Sequence, residues 1–342
     1  MIEACKSLAE QTFSDFEICI SDDCSTDGRE PELISFLDRA GFAYSYRRQE
    51  KNLRYDGNLR ASIGLSRGLH CFLLGNDDAL ASPTVLRDIH DEIESRGSIG
   101  VALTDFEDYS TGRRVHRAKE TALRGSGAAV AASNFRNFSF VSGLVLDGGR
   151  ARLAATTKWD GSEMYQMYLA CRIIAAGGVL LDIDRVAIRK DIQISHESVD
   201  SYATKPRLWP CPIVERKHTL HLIGRLVLDA IGPYVDSSDW QSISESVFDQ
   251  LLMFTYPFWL FEYRRVQSWN YALGICLGMR PRNLIEGVDL SAIRRWRIAV
   301  VYGLVSILGL TTPIGVFSRL YPRLHALAKS KFGRLTPSSK YA

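Results

Sequence analysis

Two short stretches of the chain each deliver a pair of adjacent carboxylates at the end of an apolar run: "EICISDD" ends in Asp22-Asp23, and "HCFLLGNDD" ends in Asp77-Asp78. Neighbouring aspartates repel, so such a pair is comfortable only when both are well hydrated or when a cation lies between them. Hard divalent cations take oxygen ligands and offset charge on phosphate oxygens, so a metal-bound polyphosphate is the chemistry that two such pairs at one place would serve. Alone, Asp77-Asp78 could also be a hydrated turn ahead of the helix that Ser82 opens. The two pairs are far apart in sequence, so the fold must bring them together.

The elements around them predict that it does. "DFEICISDD", "FAYSYRR" and "HCFLLGN" read as strands. Between and after them, "STDGREPELISFLDRAG", "NLRASIGLSRG" and "SPTVLRDIHDEIESRG" read as helices, the first stopped by Gly41 and the last opened by Ser82-Pro83 and closed by Gly97. Alternation with short connections implies a parallel sheet covered by helices on both faces, with ligands in the crevice beyond the carboxyl ends of the strands. Both acidic pairs lie at such ends. Residues 140–147 and 178–189 read as further strands, with a helix in "SEMYQMYLACRIIAAGG" between them. The chain opens inside a helix, so the strand that this rhythm would place before it is absent. Beyond the proline-rich "KPRLWPCP" the pattern is helical only, which predicts a domain over residues 1–204 and a helical, basic region over 205–342.

With 46% apolar and 24% charged residues, the 342-residue chain is globular in composition. Its formal charge of +3 conceals a split: residues 291–342 hold nine Lys or Arg and no acid, which leaves −6 on residues 1–290. Seven scattered cysteines without a C-x-x-C pair suggest neither a disulfide framework nor a zinc knuckle, and the N-terminal sequence lacks a secretory pattern, so a cytoplasmic location is expected. The uncharged run 298–317 would reach about 30 Å as a helix, enough to cross a bilayer. Flanking cations on both sides and Pro313 favour instead a peripheral or monotopic segment on anionic lipid at the inner face of the cell membrane, anchored by Trp296 and Tyr321; a span and a buried helix are the alternatives. Nucleic acid is disfavoured, because the cations crowd beside the most apolar run.

"SLAEQTFSDFEICISDDCSTDG" and "GLSRGLHCFLLGNDDAL" together resemble the two signature segments of family 2 glycosyltransferases with the GT-A fold, in the family's order and on matching elements, over residues 7–200. The resemblance implies an α/β fold: a GT-A-like, doubly wound mixed sheet with the C-terminal helical region appended, without the family's first strand. It implies metal-dependent transfer of a sugar from a nucleotide-sugar donor to a glycan or lipid-linked acceptor hydroxyl, inverting, in surface polysaccharide biosynthesis. By that likeness Asp22 and Asp23 contact the nucleoside, Asp77 the ribose or sugar, and Asn58 the donor; Asp78 and His196 hold Mn²⁺ or Mg²⁺. The general base, which takes the acceptor's proton, is Glu163 at the start of a helix or Asp160 just before it. Arg54 and Arg60 are candidates for phosphate contact. The first of the three metal-motif positions is Asn76, where the family usually has an acid, which implies weaker metal affinity. The alternatives are a catalytically inactive, glycan-binding relative and, on chemistry alone, a receiver-type phosphoacceptor domain.

Overall fold

A computed structural model describes residues 1–192, 219–267 and 269–332. The chain divides into two compact units, Met1–Asp200 and Ser201–Ala342. The "KPRLWPCP" stretch lies outside the described residues.

The first unit is α/β. It begins with α1 (Ile2–Ala9), β1 (Glu17–Asp22), α2 (Glu30–Ala40), β2 (Ala43–Arg48), α3 (Arg54–Leu65) and β3 (His70–Phe72). Alternation along β1 turns Ile18 and Ile20 into a small core with Cys5 of α1 and Leu33 and Leu37 of α2, residues one helical turn apart. Gly41, at φ 73°, supplies the left-handed residue that ends α2. Strands β1 and β2 pair in parallel from Glu17 opposite Ala43 to Asp22 opposite Arg48, as the alternating pattern predicts.

The chain continues through β4 (Ala79–Leu80), α4 (Val85–Arg96), β5 (Ile99–Asp108), β6 (Arg114–Val115), β7 (Ala122–Gly125), α5 (Ala128–Asn134), β8 (Leu144–Asp147), α6 (Gly148–Leu153), α7 (Tyr165–Ala175) and β9 (Val179–Lys190). These strands and β3 form a second sheet in the order β3-β8-β5-β9-β4, with β6 beside β5 and β7 beside β9. Here only β5 and β9 run parallel; the other pairings are antiparallel. The sheet is thus mixed, and the all-parallel arrangement that the βα rhythm implies holds only for β1–β2 and β5–β9. Ala102 of β5 packs with Val85, Ile89 and Ile93 of α4, leaving the equally buried Val101 and Leu103 for the opposite face. Helix α7 is buried at ten of its eleven positions, as expected of a helix that is apolar on nearly all sides.

Among the described residues β1 pairs only with β2, and β3 only with β8. Their free edges border a cavity of about 1170 Å³, lined by Ile18, Ile20 and Asp23 on one side and Cys71, Leu73 and Gly75 on the other.

The second unit is helical in its described part. The aromatic stretch 251–261 is core: Leu251, Leu252, Tyr256 and Leu260 are fully buried. The uncharged run 298–317 is split. One helix, Ala292–Thr311, ends before Pro313, and another, Ile314–Phe332, follows. Proline brings no N–H to an ongoing helix and clashes with its preceding turn. No described helix is long and apolar enough to cross a membrane, which speaks against the alternative of a single span over 298–317.

Candidate active site

At the carboxyl end of β1 the two aspartates have different surroundings. Asp22 accepts hydrogen bonds from the Ser25 amide (2.8 Å) and the Tyr46 hydroxyl (2.7 Å). Burial raises its pKa, but these bonds and the nearby Arg48 outweigh burial and hold it below the usual carboxylate range. Asp23 accepts the amide of Leu53, the residue before α3, and so ties that helix to the rim of the cavity. From α3, Tyr55, Asn58, Leu59 and Ser62 line the same cavity at i, i+3, i+4 and i+7, one helical face. The Asn58 side-chain oxygen is buried without a hydrogen-bond partner among the described residues. A buried acceptor left unpaired is costly, so this atom suits a ligand donor.

Past β3 the chain turns through Gly75 and Asn76 into the second pair. A Cβ on Gly75 would lie 3.0 Å from Asp77 Oδ1, 3.1 Å from Asp78 Oδ2 and 3.2 Å from Ser142 Oγ, so both carboxylates close on a spot that only glycine leaves open. Asp78 is 2% exposed. Its Oδ2 accepts the Ser142 hydroxyl (2.5 Å) and its Oδ1 the Asp191 amide (3.0 Å), while Ser142 Oγ in turn accepts the Gly75 amide (2.8 Å). Burial first, then the charges of Asp77 and Asp191, push the Asp78 pKa up to about 6, against the opposing pull of those two hydrogen bonds. No described lysine, arginine or histidine lies within ion-pair distance of Asp77 or Asp78, and the cation that acts on Asp78 from farther off is Arg117.

Sequence reasoning does not single out Ser142, nor the residue that places it. Arg117 donates to the carbonyls of Thr104 (2.6 Å), Phe140 (2.9 Å) and Ser142 (2.8 Å), which fixes the strand entry that carries Ser142. Desolvation lowers the guanidinium pKa to about 10. Gly143 then turns the chain at φ 77°, with Thr104 so close that a Cβ has no room. A serine before a glycine carries no signal of its own; only the tertiary contact identifies it.

The loop between α6 and α7 carries the two candidate bases. Helix α7 starts at Tyr165, so Glu163 is not its first residue but sits in the loop before it, in a left-handed conformation at φ 60°. Burial, reinforced by Asp56 and opposed by Arg54, raises the Glu163 pKa. Asp160 is already engaged: Arg60 grips both of its carboxylate oxygens and also donates to the Thr156 carbonyl (3.0 Å). His196 lies outside the described residues. Arg54 is close enough to Glu163 to act on it electrostatically, so the structure places it and Arg60 toward the loop.

A second acidic cluster, Asp105, His116 and Asp184, has the geometry of a cation site among the described residues. Arg114 already bridges its two carboxylates, donating to Asp105 (2.9 Å) and to Asp184. Its positive charge is therefore supplied from within the chain, and the cluster reads as an ion-pair network on β5, β6 and β9.

Residues 1–143 match the model of Glycosyl transferase family 2. A stretch of 71 residues is 44% identical to abequosyltransferase RfbV of Salmonella typhimurium; it spans 21% of this chain and 21% of that relative. The fold is similar to that of S. aureus TarS residues 1–349, in complex with UDP-GlcNAc (TM-score 0.57, 17% identity, 94% of this chain and 88% of that one) and in complex with UDP (TM-score 0.56, 14% identity, 94% and 87%).

Proposed function

We propose, from the match of residues 1–143 to the model of Glycosyl transferase family 2, that the protein transfers a sugar from a nucleotide-sugar donor to the hydroxyl of a glycan or lipid-linked acceptor. The observation that carries this reading is that Asp22 and Asp23 line one cavity together with Gly75 and Asn76, the two residues that lead into the second acidic pair. On this reading Asp23, Asn58 and the neighbouring face of α3 hold the nucleoside, and Asp22 stiffens the strand end beneath it.

The donor set fits a divalent metal. Two adjacent carboxylates, one raised to about 6 by burial and by its neighbour, are what a hard cation would stabilise. Asp78 and Asp77 would hold Mn²⁺ or Mg²⁺, with His196 a further candidate. Such an ion offsets the charge that collects on a departing nucleoside diphosphate. Ser142 and the Asp191 amide keep the Asp78 carboxylate in one orientation. Glu163, with its pKa raised, is the group that takes the acceptor's proton, and attack opposite the leaving group makes the transfer inverting. Asp160, locked to Arg60, serves the loop instead. Surface polysaccharide biosynthesis is the setting in which such an acceptor occurs. The direct test measures nucleoside diphosphate release from UDP-, GDP-, dTDP- and CDP-sugars with and without Mn²⁺. Metal-dependent release from one of them is expected, and no release from any would overturn the proposal.

The second unit supports attachment to a lipid surface, where a lipid-linked acceptor resides. Ile293, Trp296, Leu304, Ile307 and Leu308 are 57–79% exposed along helix Ala292–Thr311. Arg319 and Arg323 are exposed on the next helix, in a tail with nine cations and no acid. An exposed apolar stripe with basic flanks lies in a headgroup region and is held there by anionic lipid. The protein is expected to cosediment with vesicles containing phosphatidylglycerol and to bind neutral vesicles at least about tenfold more weakly. Replacing Leu304 and Ile307 with Gln should release it. Equal binding to both vesicle types, or none to either, would contradict this attachment.

A further inference from the structure

We propose that Asp56 is a positioning residue that holds the Glu163 loop in its working conformation, and that α3 thereby links the donor cavity to the acceptor side. This rests on the reading of Glu163 as the base. Asp56 is 1% exposed; no described cation lies within ion-pair distance of it, and Arg60 acts on it only from farther off. Its two oxygens accept three backbone N–H groups from a loop more than a hundred residues away: Oδ2 from Gly161 (2.8 Å) and Glu163 (2.8 Å), and Oδ1 from Tyr165 (3.0 Å).

The loop's backbone accounts for this convergence. Gly161 at φ 92° and Glu163 at φ 60° are left-handed, and Tyr165 opens α7 with an amide that no residue of its own helix can satisfy. Successive N–H groups that point the same way form a concavity for an anion, and here a carboxylate from another helix fills it. A non-glycine residue in the left-handed region costs about 1 kcal/mol or more and persists only when its surroundings impose it. The bond from the Glu163 amide to Asp56 imposes it. Arg60, one turn along α3, grips the same loop through Asp160 and the Thr156 carbonyl. One face of α3, with Asn58, lines the cavity, and the adjoining face, with Asp56 and Arg60, holds the base loop.

The test compares Asp56→Asn, Arg60→Gln and Glu163→Gln in the full chain, using Mn²⁺ and whichever of UDP-, GDP-, dTDP- and CDP-sugars turns over fastest. An asparagine at 56 must set an NH₂ group against backbone N–H donors that now meet an oxygen, so the loop shifts. Asp56→Asn is expected to lower kcat about 10- to 100-fold with the donor KM within about twofold of wild type. The charges that act on Glu163 are Asp56, which raises its pKa, and Arg54, which lowers it. Removing the Asp56 charge should therefore also move the acid limb of the kcat–pH profile to lower pH, which a merely structural role would not do. Arg60→Gln, at a partly exposed pair, should give a smaller loss of kcat with the same donor KM, and it carries the test if Asp56→Asn does not fold. Wild-type kcat in the folded Asp56 variant, an unmoved limb, or a donor KM that rises in step with the loss would overturn the positioning role. If Glu163→Gln is inactive while Asp56→Asn is normal, only this proposal fails. If Glu163→Gln retains full turnover, the base assignment fails and this inference with it.

Discussion

Asp78→Asn is expected to lower turnover about a thousandfold or more and, in the absence of metal, to make the protein more stable at neutral pH. The two effects have one cause. The Asp78 carboxyl has a pKa of about 6 in the folded chain against an ordinary value of 3.8. Folding therefore opposes its ionisation. The native state keeps its full stability below about pH 4, loses it progressively as pH rises toward 6, and carries the whole deficit above that, about 3 kcal/mol for a shift of this size. Asparagine has no proton to lose, so the deficit disappears, and its side-chain oxygen can still accept the Asp191 amide. Thermal unfolding with chelator from pH 4 to 8 should show the variant gaining on wild type as pH rises, with no gap at the acid end. Mn²⁺ should stabilise wild type more at pH 7.5 than at pH 5, and should leave the variant unchanged. The lost turnover follows because charge placed where the leaving phosphates develop theirs accounts for a large share of such rates. A variant less stable than wild type at every pH, or one with full turnover, would contradict this account of Asp78.

Glu163→Gln is the second large effect, a loss of about 10²- to 10⁴-fold in kcat, the range that a positioned general base supplies. Nucleoside diphosphate affinity should be unchanged, because the proposed role of Glu163 is toward the acceptor. Since burial and Asp56 raise the Glu163 pKa, the acid limb of the wild-type rate profile should fall above the ordinary carboxylate range, and the variant should lose that limb. Asp160→Asn makes the contrast. Its carboxylate is held by Arg60, so its loss loosens the loop and should cost about tenfold or less. A larger effect at Asp160 than at Glu163 would reverse the two roles.

The paired acids were legible in the sequence because strand periodicity and adjacent charge are local properties. Ile18 and Ile20 alternate, and Asp22-Asp23 follow them. β1, β2, α2 and α4 appear close to where alternation, Gly41 and Pro83 place them. β5 is a different case: "IGVALTDFED" is a buried central strand, but without alternation it offers no period, and its place in the sheet comes from pairings with β8 and β9 that no local pattern encodes. The antiparallel pairings of β3 with β8 and of β4 with β9 follow from that same non-local arrangement. Ser142, Arg117 and Asp56 were invisible for a related reason. Each acts through a hydrogen bond to a residue dozens to more than a hundred positions away, and serine, arginine and aspartate are common enough to carry no mark of such a role. The Glu163 loop shows how a small displacement matters: placing the start of α7 two residues early would make Glu163 a first-turn acid, whereas the structure makes it a left-handed loop residue.

The most direct test of the central claim is a calorimetric titration of nucleoside diphosphates into the protein with and without Mn²⁺, repeated for Asp78→Asn. One diphosphate should bind at one site per chain, at least about tenfold more tightly with Mn²⁺ than without it, and the metal-dependent gain should vanish in the variant. A gain that survives in Asp78→Asn, or no diphosphate bound under any condition, would contradict the account.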